Sequence, residues 1–264
     1  MPEQNKFISS LIKDNAVLKE VLKLNKQMKE TLKNLSANNF DAKYAETVEA
    51  ARDSILTAVS KNAVVGIGDS ATVRQMGILE ELESKRCRVL NPFSRELTTD
   101  STKTRVRDDI SRQIFSCDVL VVGTNAVTVD GKLVNIDAVG NRVAAMIFGP
   151  RKVFVVVGRN KIVKNVEEAV SRIKNVIAPI HARVKGFTTP CAKTGKCVDC
   201  NSVKRICSVT TVMEKRPWRT DVTVILVNDD LGLSWDETWT EERISKIKSN
   251  YEKVTWVFAS DKTN

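Results

Sequence analysis

The sequence lacks the features that would place the protein in or across a membrane. No stretch approaches the ~18 consecutive apolar residues that a membrane-spanning helix needs. The first six residues, MPEQNK, lack the apolar core of a secretory signal. These absences predict a cytoplasmic protein that makes no membrane contact. In that reducing compartment, we expect its six cysteines to be free thiols or metal ligands before disulfides.

Aromatic residues are scarce, whereas basic residues are in excess. Four tryptophans, two tyrosines and eight phenylalanines accompany 42 lysines and arginines, and the net charge is +10. Such a surplus favours anionic partners. The basic residues are spread along the chain, however, and no basic run is interleaved with aromatic residues on which bases could stack. The sequence therefore disfavours nucleic acid and predicts a small anionic metabolite as ligand.

The first 35 residues carry apolar positions at steps of seven, three, seven, four and three residues, a pattern typical of a helix. The positions are Leu11, Leu18, Val21, Met28, Leu32 and Leu35. Such a helix either mediates docking, as in a homodimer, or lies on its own domain. A second helix is predicted over residues 41–61, with Asp41 as its N-cap. We divide the chain into a helical extension, residues 1–40, and an α/β domain, residues 41–264.

Short apolar runs then alternate with helical patterns. Strands are predicted over residues 63–67, 88–90, 118–122, 153–157, 222–227 and 254–258. Helices are predicted over residues 70–85, 102–115, 140–148 and 166–183. Asp130-Gly131 between apolar pairs predicts a hairpin with a two-residue loop. Continuous apolar strands separated by helices indicate a mostly parallel sheet covered on both faces.

Residues 190–207, which we call the cysteine segment, hold four of the six cysteines. They are separated by five, two and six residues: Cys191, Cys197, Cys200 and Cys207. Two thiols spaced two residues apart can turn about one metal or cluster, so the four predict one shared metal centre. Structural zinc usually shows two such close pairs, and only one is present. We therefore favour an iron–sulfur cluster of the 4Fe-4S type, with zinc or unliganded redox thiols as the alternatives.

Two loops that follow strands predict an anion site. The first opens a helix, where free backbone N–H groups can hold an anion, although it matches neither a dinucleotide fingerprint nor a P-loop. The second is rich in amides and contains an arginine that could clamp a carboxylate or phosphate. Because ligands bind beyond the carboxyl ends of parallel strands, the loops are expected to converge. The candidate residues are Gly66, Gly68, Ser70, Thr72, Thr124, Asn125, Asp137, Asn141 and Arg142.

Simpler interpretations of these residues stay open. The two loops can be tight turns whose polar side chains satisfy their own backbone. Cys87 and Cys117 stand alone beside apolar strands and are interpreted as small core residues. His181 is the only histidine, and we interpret it as a surface or C-cap residue near a helix end.

Residues 123–135 (GTNAVTVDGKLVN), residues 140–145 (GNRVAA) and the cysteine segment closely resemble the lactate-utilization (LUD) domain family. The resemblance covers roughly residues 43–233. It implies a Rossmann-like layered α/β fold similar to that of sugar-phosphate isomerases and CoA transferases. It also implies a component of lactate-type organic-acid oxidation that works with iron–sulfur partner subunits.

Two other hypotheses remain from the residues themselves. One is a stand-alone enzyme that acts on a small anionic metabolite, with the cluster as a Lewis acid. The other is a zinc-stabilised binding module. The sequence does not decide whether the chain is itself an enzyme, and it identifies no catalytic residue.

Overall fold

A computed structural model describes residues 16–259 of the protein, and the side chains of residues 25–259. The strands within these residues are β1 (Asp41–Ala45), β2 (Val64–Ile67), β3 (Arg88–Leu90), β4 (Val119–Gly123), β5 (Ala126–Thr128), β6 (Leu133–Asp137), β7 (Lys152–Gly158), β8 (Ile162–Val163), β9 (Val209–Met213) and β10 (Asp221–Val227). Six of them pair in parallel as the main sheet, in the order β1-β10-β7-β4-β2-β3. The predicted α/β fold with a mostly parallel sheet is confirmed.

Helices cover both faces of this sheet. They are α1 (Ala16–Ala37), α2 (Val48–Ala58), α3 (Ala71–Gln75), α4 (Leu79–Ser84), α5 (Arg95–Thr98), α6 (Thr104–Gln113), α7 (Asn141–Ile147), α8 (Val166–Arg172), α9 (Ala178–Val184), α10 (Pro190–Thr194) and α11 (Glu241–Lys253). Helices α1 and α7 pack on one face, and α2, α3 and α4 pack on the other. None of the helices in residues 16–259 has the length and apolar character needed to cross a membrane.

The inner strands of the main sheet, β2, β4, β7 and β10, are largely apolar because both of their faces are buried. In β4, Leu120 and Val122 join one hydrophobic cluster, whereas Val119 and Val121 join the cluster on the opposite face. Successive side chains of a strand point to opposite faces, so each face takes alternate residues. This arrangement explains why the sequence shows continuous hydrophobicity and not an alternation of apolar and polar residues.

A smaller sheet, in the order β8-β5-β6-β9, lies where β4 and β7 end. Strands β5 and β6 form the predicted hairpin, with Val127 opposite Leu133. The loop is longer than predicted: Thr128 N donates to Lys132 O (3.0 Å), which leaves residues 129–131 as a three-residue loop. Gly131 adopts a φ of 82° there, the left-handed conformation typical of the last residue in such loops.

Two predicted elements at the sheet edges are wrong. Residues 41–45 form β1 and not the start of a helix, because all five pair with residues 223–227 of β10. The Asp41 carboxylate accepts a hydrogen bond from Thr223 Oγ1 (2.9 Å), and the following helix is capped by Thr47. Residues 254–258 are not a strand either. They follow α11 as irregular backbone, and Phe258 N donates to Lys185 O (3.1 Å).

Helix α1 packs against its own domain over its carboxyl half. Met28 and Leu35 are buried in the same cluster as strands β4, β7 and β10, and Leu32 packs against that cluster. Leu11 lies outside the described residues, as do the side chains of Leu18 and Val21. The homodimer and the domain boundary at residue 40 therefore stay predictions.

Candidate functional site

A cavity of about 600 Å³ opens beyond the carboxyl ends of β2, β4 and β7. Helix α3 and the loop after β4 form one side, and the small sheet with the start of α7 forms another. The helical stretch from α8 to α9 and the loop before β9 close it on the remaining sides. This is the position at which parallel α/β sheets bind ligands, so the predicted location of the site agrees with the fold.

Seven of the nine residues predicted for the anion site line this cavity: Ser70, Thr72, Thr124, Asn125, Asp137, Asn141 and Arg142. Gly66 and Gly68 do not line it. A side chain at Gly68 would bring Cβ to 2.6 Å from Val122 Cγ2, and one at Gly66 would bring Cβ to 3.0 Å from Cys117 Sγ. The two glycines therefore allow close packing beneath the site. A ligand role for the seven stays a prediction.

Arg142 is saturated by groups of its own chain. Its Nε donates to Asp137 Oδ1 (3.0 Å), and Nη2 donates to the same carboxylate and to Asn125 Oδ1 (2.9 Å). Its Nη1 donates to Asn135 Oδ1 (2.7 Å) and to Gly123 O (3.2 Å). An arginine has five N–H donors, and all five are used. The amide-rich loops thus hold the guanidinium in place, so Arg142 can bind an anion only by releasing one of these partners.

Lys161 is a buried lysine on the cavity wall for which no sequence pattern predicted a role. It lies in a short helical turn at the end of β7, is 6% exposed and lines the cavity. Its Nζ donates to Thr72 Oγ1 (2.9 Å) and to Thr124 O (2.8 Å). Burial, with a smaller contribution from Arg142, lowers the pKa of Lys161 to about 7. An isolated lysine after a strand gave no sequence signal, because its environment comes from three distant loops.

Asp69 holds a second set of cations on the cavity wall. Its carboxylate binds Lys185 Nζ and Arg74 Nη2, the latter at 2.5 Å. Although burial raises the pKa of Asp69, Lys185 and Arg74 outweigh that effect and keep the pKa well below its usual range. Burial lowers the pKa of Lys185 to about 8, and Asp69 offsets part of the lowering. Asp69 follows Gly68 in the first predicted loop, but the sequence could not reveal its partner 116 residues away.

His181 lies in the cavity wall, contrary to its interpretation as a surface or C-cap residue. Its Nδ1 is 2.5 Å from the Tyr251 hydroxyl oxygen. Burial and then the nearby charge of Lys185 lower the pKa of His181 to about 3, so the imidazole is neutral near pH 7. A π-helical turn, Ile173–Ile177, precedes Pro179 in this helix and directs Ile173, Ile177 and His181 at the cavity. Such turns are frequent at functional sites.

The residues that follow α11 cover the cationic side of the cavity. Phe258 lies over Lys185, with Nζ 3.7 Å from the ring centroid, and Trp256 lies over Arg74 at 4.8 Å. Trp256 Nε1 donates to Thr98 Oγ1 (2.7 Å), which ties this segment to α5. Cations held against aromatic faces stay charged with less contact to water. The tail that sequence patterns assigned to the sheet therefore forms part of the site.

The cysteine segment forms another wall, through Cys207 and the residues just before it. Arg205 holds the segment in a loop, because its guanidinium donates to Cys200 O (2.6 Å) and Cys207 O (3.1 Å). Burial raises the pKa of Cys207, Arg205 lowers it, and the charges of Cys197, Cys191 and Cys200 raise it further. The other three thiols therefore lie within electrostatic range of Cys207.

Their arrangement is not a preformed ion site. Within residues 16–259, no three cysteine, histidine or carboxylate side chains converge closely enough to hold a metal ion. The thiol donors themselves suit a thiolate-ligated centre. The predicted metal-binding character of the segment thus stays a prediction. Cys87 and Cys117 are buried in the two main hydrophobic clusters.

Positive charge dominates the cavity as a whole. Among the described residues that line it, two are carboxylates, Asp69 and Asp137, and seven are cationic: Arg74, Arg107, Arg142, Lys161, Lys185, Lys204 and Arg205. Low-dielectric walls of one charge sign concentrate ligands of the other sign. The arrangement is suited to bind a small anion, with a neutral imidazole and a tyrosine hydroxyl available for hydrogen bonding.

Comparisons with known proteins give a family match and a solved structure that each span most of the chain. The family described as "LUD domain" matches residues 28–227, about three quarters of the sequence. A solved structure described as a DUF162 family protein from Deinococcus radiodurans is 13% identical, covers 79% of this chain and 98% of its own, and has a TM-score of 0.42. No curated protein matches the chain. The family match includes Asp69, Lys161, Lys185 and all four cysteines of the cysteine segment.

Proposed function

The chain belongs to the LUD domain family, and from that premise we propose that it is an iron–sulfur-associated component of lactate-type organic-acid oxidation. The cationic cavity carries this proposal. Its volume of about 600 Å³ accommodates a small organic acid, and its seven cationic side chains favour a carboxylate. We place the component in the cytoplasm, where thiols stay available to metals.

The cysteine segment is the proposed binding site of the cluster. It supplies four thiols on one side of the cavity, and Arg205 already draws the backbone of Cys200 and Cys207 together. Lys193, Lys196 and Lys204 would offset the negative charge of a thiolate-ligated cluster. A four-iron cluster spans a wider cage than one zinc ion, which favours it over zinc for thiols at this irregular sequence spacing. When bound, the cluster would supply electron transfer.

The residues of the chain have their own part in this proposal. Arg74 and Lys185, held by Asp69, would orient the carboxylate of the acid. The neutral imidazole of His181, paired with the Tyr251 hydroxyl, would hydrogen-bond a substrate hydroxyl and orient it. The aromatic segment after α11 would limit the access of water to these groups.

A stand-alone enzyme acting on a small anionic metabolite is the second candidate. The pairing of His181 with Tyr251 beside two cations favours it, because two hydrogen-bonding groups and an anion site already lie in one chain. The two candidates differ in their need for partners. Lactate oxidation would proceed with iron–sulfur partner subunits, whereas a stand-alone enzyme would turn over without them.

Anaerobic purification followed by analysis of iron, acid-labile sulfide and zinc tests the proposal. We expect about four irons and four sulfides per chain and a brown protein. Lactate, with a soluble electron acceptor and cell extract as the source of partners, is then expected to reduce the acceptor. For variants that replace a cysteine of the segment, the matched control is Cys87→Ala, which removes a buried thiol outside the segment. Zinc in place of iron would point to the zinc-stabilised binding module, and turnover of a metabolite by the pure chain would favour the stand-alone enzyme.

A further inference from the structure

Lys161 is the one buried basic residue without a carboxylate partner in the described part of the chain. Three basic residues are buried there: Lys161, Arg172 and Lys185. Lys185 pairs with Asp69, and Arg172 pairs with Glu168 and Asp236. Lys161 has only neutral acceptors, the Thr72 hydroxyl and the Thr124 carbonyl. A buried ammonium group without a counter-ion is unfavourable, so its place on a cavity wall needs an explanation beyond packing.

The geometry leaves one donor of Lys161 for a ligand. An ammonium group has three N–H bonds, and the two threonine contacts use two of them. Gly232 lies beside the group with a φ of 69°, and a Cβ there would fall 2.9 Å from Lys161 Nζ and 2.6 Å from Thr72 Oγ1. Any other residue at this position would therefore fill the space next to the ammonium group. Glycine keeps that space open at the cavity wall.

From these contacts we propose that Lys161 anchors the anionic ligand by donating its third N–H to one carboxylate or phosphate oxygen, whose charge serves as the missing counter-ion. The inference rests on the anion-binding cavity of the proposed function and names the residue that binds there. It assigns to Lys161 the part that the sequence assigned to Arg142, whose donors are all occupied.

Proton uptake follows from this role. Lys161 has a pKa of about 7 without ligand, and a bound anion raises that pKa by favouring the charged amine. Binding above pH 7 therefore takes up a proton, whereas binding well below pH 7 does not. The charged groups around the lysine come from several elements: Arg142 of α7, Arg172 of α8 with its partners Glu168 and Asp236, and, on the cavity wall, Asp69, Arg74, Asp137 and Lys185.

Titration calorimetry on the full chain at pH 8, in two buffers of different ionisation enthalpy, tests the proposal. The probes are sodium phosphate, sodium malonate and sodium lactate. For the wild type we expect uptake of about one proton per bound anion. Lys161→Met is expected to lose about 10- to 100-fold in affinity, as for a lost charged hydrogen bond. Lys161→Arg should keep binding but take up no proton at this position, because arginine stays charged at pH 8. The exposed Lys164→Met is the matched control.

A second measurement needs no variant and so does not depend on how Lys161→Met folds. Acetylation of lysines at pH 8, read by mass spectrometry, should modify Lys161 more slowly with phosphate present, while Lys164 is unaffected. Wild-type affinity in Lys161→Met, unchanged proton uptake in Lys161→Arg, no protection of Lys161, or no binding of any probe to the wild type would each overturn the inference. A chain that binds phosphate through Lys161 but purifies without iron would instead contradict the cluster and leave the anchor intact.

Discussion

Replacing Arg142 with alanine is expected to destabilise the fold strongly, because this guanidinium organises the amide-rich loops. Its side chain is 11% exposed and that of its partner Asp137 is 8% exposed. The substitution removes five hydrogen bonds and leaves the Asp137 carboxylate buried, with the Val143 backbone N–H (3.2 Å) as its remaining donor. The Asn125 and Asn135 oxygens lose the same partner.

The magnitude follows from this burial. Removal of one member of a buried ion pair costs about 3–5 kcal/mol, because the other charge stays buried without compensation. For a chain of this size, each kcal/mol lowers the melting temperature by roughly 2–4 °C. The expected decrease for Arg142→Ala is therefore roughly 6–20 °C. Solvent screening is weak at such low exposure, so no large reduction of this value is expected.

Urea denaturation at pH 7, followed by circular dichroism, measures the effect as a double-mutant cycle with Asp137→Asn. In the double variant the neutral asparagine at position 137 replaces the carboxylate, so no unpaired charge stays buried. The loss of stability in the double variant should therefore be smaller than the sum of the losses in the two single variants. The control is Lys103→Ala, which breaks the exposed pair with Glu96 and should leave the denaturation midpoint unchanged. An Arg142→Ala midpoint equal to that of the wild type, or strict additivity in the cycle, would refute the reasoning.

Three further predictions concern the metal centre, the histidine and the extension. Replacing any one cysteine of the segment with serine should lower the iron content and loosen the segment. Iron analysis and limited proteolysis measure these two effects in the serine variants of Cys191, Cys197, Cys200 and Cys207. The His181 ring should stay neutral between pH 5 and 8 in NMR titrations, because its pKa is lowered to about 3. In the unfolded chain this histidine binds a proton near pH 6.5, whereas in the folded chain it does so only near pH 3. The His181 contribution to the stability of the fold is therefore lost as the pH falls from 6.5 towards 3. Removal of residues 1–24 should convert a homodimer to a monomer in light scattering while Met28 and Leu35 stay in the core.

Each of these has a result that contradicts it. Wild-type iron content in all four serine variants would exclude a shared centre in the cysteine segment. A His181 titration midpoint near 6.5 would show that the imidazole is open to water and free of the influence of Lys185. A full-length chain that is monomeric in solution would remove the dimer hypothesis.

The elements that sequence patterns predicted well are those whose local and tertiary preferences agree. Strands β2, β3, β4, β7 and β10 were expected within a residue or two, because runs of β-branched residues suit a strand buried on both faces. Where the two preferences differ, the prediction was wrong. Residues 41–45 have a helical pattern, but pairing with β10 makes them an edge strand. The predicted helix over residues 70–85 divides into α3 and α4, because Gly77 adopts a φ of 60°.

The site shows the same division. Turn residues and amides after β2 and β4 predicted a site at this edge, and seven of the nine predicted residues line the cavity, since strand ends of a parallel sheet meet at one edge. The roles within that place were not predictable from spacing. Arg142 is separated from Asn125 by 17 residues, and the hydrogen bonds that saturate it depend on the folding of the β5–β6 hairpin.

The sequence by itself determined the fold class, the likeness to the LUD domain family and the cysteine segment, because these are properties of consecutive residues: apolar runs, turn residues and thiol spacing. Only the tertiary structure decided which charges are paired. Lys185 pairs with Asp69, which lies 116 positions earlier in the chain, and Lys161 donates a hydrogen bond to Thr72, which lies 89 positions earlier. Burial and the absence of a counter-ion are properties of a position in space, produced by elements far apart in the chain. The chemistry of the cavity therefore arises only when the sheet brings those elements to a common edge.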